Sequence, residues 1–309
     1  MEAYFINIKD GLKNKFDLFK NDEFRNKFIK NLWLLAAIFV FFYILGFFIP
    51  QGFDWKAYFS QGVLYPIWTP WTLDVVHFVN WPILIGITGL AIIYRTRKYS
   101  TSVLPALLAI FSLPTMWVIF MGNLDGVVLV GLILLPIGAP LALMKPQIAA
   151  FALLAKKNSI IAGIIWGIIS LLIWGLWPLN FLKVLTPAWK VEWIQDISIF
   201  PWGILLALPL MWFSRGDEDL LMAAGSLATP HLFPYHFILL TPALARMKRP
   251  WMIATWLIAW TPLLANWLGP TAWHFGNLMS IFFWCGIYFS RKQATRLQNR
   301  KLEEAVVQA

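Results

Sequence analysis

Residues 32–49 read LWLLAAIFVFFYILGFFI, a stretch without a charged side chain. Wound as a helix it is about 27 Å long, close to the hydrocarbon thickness of a bilayer. Comparable apolar runs return at 160–177 and 251–268, too long for core strands and too uniformly apolar for the amphipathic helices of a soluble domain. The chain is 60% hydrophobic and only 13% charged over 309 residues, about half the charged fraction of an ordinary soluble domain. The expected fold class is therefore all-α, a polytopic transmembrane helical bundle. Full spans are predicted at 33–49, 80–94, 102–120, 126–144, 159–177, 199–213, 250–268 and 273–290, about eight in all. Two shorter apolar pieces, 220–229 and 235–245, are separated by Pro230 and Pro234 and read as a broken pair, tolerated at membrane depth only where protein or a wet cavity surrounds it. Some thirty polar and charged residues precede the first run, so it reads as a retained span and not a cleavable signal peptide.

Alternating these spans from a cytoplasmic N-terminus puts all of the 25 lysines and arginines except Lys56, Lys183 and Lys190 on the inner side. That asymmetry orients an integral membrane protein with both termini cytoplasmic. The net charge of +10 is thus read as topology, and no nucleic-acid partner is expected. The same orientation gathers His77, His231, His236 and His274 at the outer face with Asp54, Asp74 and Asp125. Many of the 19 tryptophans fall near span ends, where an amphipathic ring suits the headgroup region. The single Cys285 offers neither a disulfide nor a thiolate metal site.

Three units are expected. Residues 1–31 place Phe5, Ile8, Leu12, Phe16 and Phe19 on one face of a lysine-rich helix, suited to the inner surface of an anionic membrane. Residues 32–290 are the transmembrane domain and 291–309 a polar cytoplasmic tail. The outer loops 50–79 and 178–198 carry Phe53, Trp55, Tyr58, Trp68, Trp71, Trp189 and Trp193, the composition of interfacial helices and not of plain connectors.

Several positions could carry chemistry. Asp54 follows the first run and could take a proton from a sugar hydroxyl, although a helix cap or surface charge is the plainer alternative. Gly122-Asn123-Leu124-Asp125-Gly126 has ordinary turn composition at the start of a span. Lys145-Pro146-Gln147 marks a helix end and a re-entry. The segment from Ser226 through Thr229, His231 and Tyr235 to His236 is the most polar place at membrane depth, and ionisable groups there default to a functional hypothesis. No zinc-type His/Cys/Glu spacing, nucleophile elbow or phosphate-binding Gly-Lys-Ser/Thr loop occurs, so no metal or cofactor is expected.

Asp54 and Tyr58, the Gly122-Asn123 turn, Lys145-Pro146-Gln147 and the 226–235 segment come in an order that resembles integral-membrane mannosyltransferases of the GT-C superfamily, the bacterial polyprenyl-phosphate-mannose-dependent group formerly known only as a domain of unknown function. The resemblance implies a GT-C-like bundle with interfacial helices over an outer cavity, where a lipid-linked sugar, mannose in that family, passes with inversion to an acceptor. It implies Asp54 as general base and His231 or His236 near the donor phosphate. Lys183 and Lys190 of the second long loop could add positive charge there, while Tyr58, Asn123, Asp125, Lys145, Gln147 and Tyr235 would shape the cavity. The expected partners are a polyprenyl-phosphate donor and membrane lipid. This chain departs by holding Asn123 where the family usually has Gln and by being shorter. The alternative is accordingly a non-catalytic GT-C-like subunit of a larger membrane complex.

Overall fold

A computed structural model describes residues 22–64, 68–179 and 195–308, with side chains described between 31 and 296. The amphipathic segment expected before residue 22, and Lys183, Lys190, Trp189 and Trp193, lie outside the described residues. Every described element is helical. In chain order the α-helices are α1 (Asp22–Gly46), α2 (Phe53–Ala57), α3 (Thr72–Val76), α4 (Trp81–Tyr99), α5 (Val103–Ile110), α6 (Leu113–Met121), α7 (Asp125–Ile133), α8 (Ala139–Ala142), α9 (Pro146–Leu153), α10 (Lys157–Trp174), α11 (Ile204–Ser214), α12 (Glu218–Ser226), α13 (Arg249–Ile258), α14 (Ala265–Leu268) and α15 (Asn277–Gln308). Short 3-10 helices fill several joints, among them Pro234–Leu239 and Thr241–Arg246. Helix α1 runs through the boundary expected at residue 31, and α15 through the one expected at 290.

The helical class agrees with the sequence, but the expectation of about eight spans is wrong. One described helix, α10, is long and apolar enough to cross a membrane, and the α5–α6 pair adds a second only if its two halves, bent by 46°, count as one span. For three of the expected spans the physical reason lies in the prolines. A ring at the first turn starts a new helix without loss of a hydrogen bond, whereas inside a helix it removes one and clashes with the preceding turn. Pro114 divides the run expected at 102–120. Pro136 and Pro140 stop the 126–144 run after Ile133, and Pro262 divides 250–268 into pieces. Hydropathy sums over such breaks without registering them.

The framework is built on α4. Asn80 caps it by accepting from the Ile83 N–H at 2.9 Å, Pro82 fits its first turn, and Arg97 and Lys98 complement its C-terminal dipole. Helix α1 lies along it, and Gly89 makes the approach possible, since a methyl group there would stand 2.3 Å from the Phe42 ring. On its other sides α4 meets α7 and the Thr241–Arg246 turn. The centre is occupied by the short elements of residues 218–245, nearly all buried. The perimeter is apolar: Leu172 on α10 is 81% exposed and Trp212 on α11 is 82% exposed. Large contiguous apolar surface of this kind marks contact with membrane or with another protein.

Candidate functional site

The site forms where loop 50–79 folds back across the start of α7 and α9. Gly122 ends α6 in the left-handed conformation at φ 71°, a geometry that costs glycine no side-chain clash. The chain at Gly52 packs directly onto it, for a methyl group at residue 52 would come 2.2 Å from the Gly122 nitrogen. This contact brings α2 and its Asp54 beside Asn123. The Asn123 amide donates to Asp54 Oδ2 at 2.9 Å, and its carbonyl oxygen accepts from Lys145 Nζ at 3.2 Å and from the Leu124 N–H at 3.0 Å. Lys145 Nζ also pairs with Asp125 Oδ2 at 2.7 Å.

Aromatic rings enclose the ammonium. Thr69 ties the second half of the loop to the Met144 carbonyl, through its N–H and its hydroxyl, both at 3.1 Å. Trp68 is thereby laid 4.6 Å from Lys145 Nζ, and Tyr235 faces it 4.3 Å away from the other element. Such contacts stabilise a desolvated cation by about 2 kcal/mol. Tyr235 stacks on Phe233, ring centres 5.3 Å apart, and meets the His236 ring at 4.7 Å. His236 Nδ1 accepts from the Phe233 N–H at 3.0 Å, so a neutral ring must carry its proton on Nε2. That Nε2 is buried and has no protein partner among the described residues.

The electrostatics are uneven, because two carboxylates share one buried ammonium. Burial pushes the Asp54 carboxyl up to about 6; Lys145 pulls it down, Asp125 raises it further and the Asn123 hydrogen bond lowers it. Asn123 engages one Asp54 oxygen, while Oδ1 takes no protein donor among the described residues. Chemically, this is a carboxylate able to accept a proton near neutrality, beside a fixed cation and a neutral N–H donor.

Six residues singled out in the sequence therefore meet in one cluster, namely Asp54, Asn123, Asp125, Lys145, Tyr235 and His236. Gln147 borders it, its backbone carbonyl accepting from the Thr229 hydroxyl at 2.9 Å. Tyr58 closes α2, its N–H donating to the Asp54 carbonyl at 3.0 Å and its ring edge-on to Phe53. His231 belongs to a separate arrangement on the far side of Phe233, with Nδ1 2.6 Å from Asp196 Oδ2. Asp196 in turn accepts from the Leu232 and Ser198 N–H groups at 3.0 and 2.9 Å. Asp196 has no sequence signal as a partner of a histidine 35 residues on. Beside the cluster, Trp55 lines a cavity of about 750 Å³ with Asp74, His77 and Asn80. An apolar groove of similar size shares the Asp74 wall and runs along Leu35, Phe39, Ile87 and Val130.

Sequence reasoning missed a second polar cluster at the other end of α4. Arg95 Nη2 donates to Asp219 at 2.7 Å and to Glu218 at 3.1 Å. Arg246 Nη1 donates to Asp219 at 2.6 Å and to Asp217 at 2.7 Å, and Arg291 reaches Asp217 at 3.3 Å. Asp217 also caps α12 by accepting from the Asp219 and Leu220 N–H groups. The available signal was the acidic triplet at 217–219 before an apolar run, the signature of a helix start. No protein-family model, curated protein or solved structure matches the chain.

Proposed function

We propose that this chain is a membrane-bound glycosyltransferase, which moves a sugar from a polyprenyl-phosphate donor to an acceptor hydroxyl with inversion. The observation that carries the reading is the linkage of Asp54, Asn123, Asp125, Lys145, Tyr235 and His236, spread along the sequence from residue 54 to 236, into one buried cluster around Lys145, in which the Asp54 carboxyl is pushed up to about 6. Asp54 removes the acceptor proton as the acceptor oxygen bonds to C1 of the sugar. The bond from C1 to the phosphate oxygen breaks, and the electron pair leaves with polyprenyl phosphate. Lys145 and the His236 Nε2–H are the groups available to meet the phosphate charge. The apolar groove along Leu35, Phe39 and Val130 suits a prenyl chain, and the exposed apolar faces of α10 and α11 support a place in the membrane.

The test is consumption of polyprenyl-phosphate-mannose by membranes carrying the chain. Asp54→Asn keeps the shape and a hydrogen bond to Asn123 but removes the base, so turnover falls by about 10² to 10⁴ with the protein still folded. Undiminished turnover in the variant removes Asp54 from the mechanism. Release of the chain from membranes by alkaline carbonate would exclude an integral protein. A second reading, a non-catalytic subunit of a larger membrane complex, is favoured by the closure of the cluster: Asp54 is only 9% exposed, and Lys145 is already satisfied by Asp125 and two rings. It predicts no donor consumption by the wild-type chain and co-purification of a partner protein.

A further inference from the structure

Near the missed cluster, α4, the end of α7, the start of α10 and α12 enclose a cavity of about 110 Å³. Its polar lining is Arg95, Lys98, Lys156, Ser159 and Glu218, with Tyr94 at one side. Arg95 is 2% exposed, and its guanidinium is only half used. Nη2 serves Glu218 and Asp219, whereas Nη1 is buried with no hydrogen-bond partner among the described residues. A buried cationic donor left without an acceptor is costly, and native structures rarely keep one idle.

The cavity also receives the N-terminus of α10, an 18-residue helix with no side-chain cap. The Ser159 N–H is taken by the Lys156 carbonyl at 3.0 Å, which leaves the Lys157 and Asn158 N–H groups without an intrahelical acceptor, and the helix dipole makes that end positive. Lys156 at the capping position and Lys98 in the last turn of α4 are exposed at the mouth. The lining thus carries three cationic side chains and one carboxylate, Glu218, which together with Asp219 behind it already engages Arg95 Nη2. The geometry points to a binding site for one phosphate group, held by Arg95 Nη1 and the α10 N-terminus at the base and by Lys98 and Lys156 at the rim. Phosphate chemistry fits better than a carboxylate: a tetrahedral anion can meet donors from three directions at once, and the volume holds such a group with a few waters. The source is either the headgroup of an anionic lipid, whose acyl chains would run along the exposed Ile160, Ile161 and Ile164 of α10, or a free phosphate. The site is about 20 Å along α4 from Trp81 and the Asp54 cluster, and does not depend on the proposed transferase reaction.

Full-length chain, purified and delipidated in detergent, is titrated with inorganic phosphate by calorimetry and separately with phosphatidylglycerol or phosphatidylcholine, the retained lipid being counted by native mass spectrometry. The double variant Lys98→Gln/Lys156→Gln alters only exposed side chains, and its thermal unfolding should match wild type. One equivalent of phosphatidylglycerol, retained about tenfold more weakly by the double variant and not displaced by phosphate, establishes the lipid source. Binding of inorganic phosphate, weakened to the same extent in the variant, establishes the free anion. Arg95→Lys keeps the charge toward Asp219 but loses Nη1, and should weaken whichever probe binds. Equal binding by wild type and the folded double variant, lipid retention that does not distinguish the two headgroups, or no binding of either probe overturns the proposal.

Discussion

The two ends of α4 carry buried charge in different ways. Around Asp54 the chain of contacts is single-file and unbalanced: two carboxylates depend on Lys145, and each link has one route. Around Asp219 the contacts branch, since Asp217 and Asp219 each meet two arginines, and Arg95, Arg246 and Arg291 match Asp217, Glu218 and Asp219 in number. A matched, branched cluster tolerates the loss of one member and suits a joint between helices. An unmatched one holds a group away from its ordinary protonation state, which is a feature of functional sites and also of some structural networks. The difference separates a candidate centre of chemistry from a fastening, although both are buried polar clusters in an apolar protein.

The largest expected stability effect tests the single-file end. Lys145→Met strands Asp125 in the interior and should cost about 3–5 kcal/mol, whereas Lys145→Met with Asp125→Leu should recover most of it. Thermal unfolding of the single and double variants gives the coupling, and additive losses would mean that Lys145 and Asp125 do not stabilise one another.

Next comes the dependence on pH, which should have opposite sign at the two ends. Asp54 is raised from 3.8 to about 6, so its protonated form is favoured in the folded state. Its contribution is complete below pH 3.8 and is lost as pH rises through about 6, a loss of up to about 3 kcal/mol. At Asp217 burial alone would raise the carboxyl, but the hydrogen bond and charge of Arg246 outweigh it and hold the group below the ordinary carboxylate range. Its contribution is present above that range and disappears as pH falls through the lowered value. Unfolding of Asp54→Asn and Asp217→Asn measured across pH should therefore flatten the profile between pH 3.8 and about 6 in the first and below pH 3.8 in the second. The same slope change in both would remove the distinction.

The smallest effect concerns the branched end. Arg95→Met leaves Asp219 paired with Arg246 and should cost about 1–3 kcal/mol, less than Lys145→Met. A loss equal to that of Lys145→Met would show that branching gives no protection.

Legibility followed the range of the interactions involved. Asp54, Asn123, Asp125, Lys145, Tyr235 and His236 could be picked out singly, because an ionisable or polar side chain beside long apolar runs is conspicuous without any knowledge of its partner. Asp196 could not be assigned to His231, nor Asp219 to Arg95. The second pair is separated by 124 residues, and periodicity carries no information over such a distance. Arg95 and Arg246 stood out in the sequence only by their sign and position between apolar runs, which says nothing of the ion cluster each belongs to.

From sequence alone came the helical class, the apolar excess and the names of most members of the Asp54 cluster. Side-chain chemistry and local period are properties of the chain itself. Which runs are continuous helices, which carboxylate meets which cation and where a cavity opens were decided only in three dimensions. Proline breaks, the close approach of Gly52 to Gly122 and the meeting of residues 68, 145 and 235 depend on how distant segments pack, and a protonation state such as that of Asp54 follows from the packing.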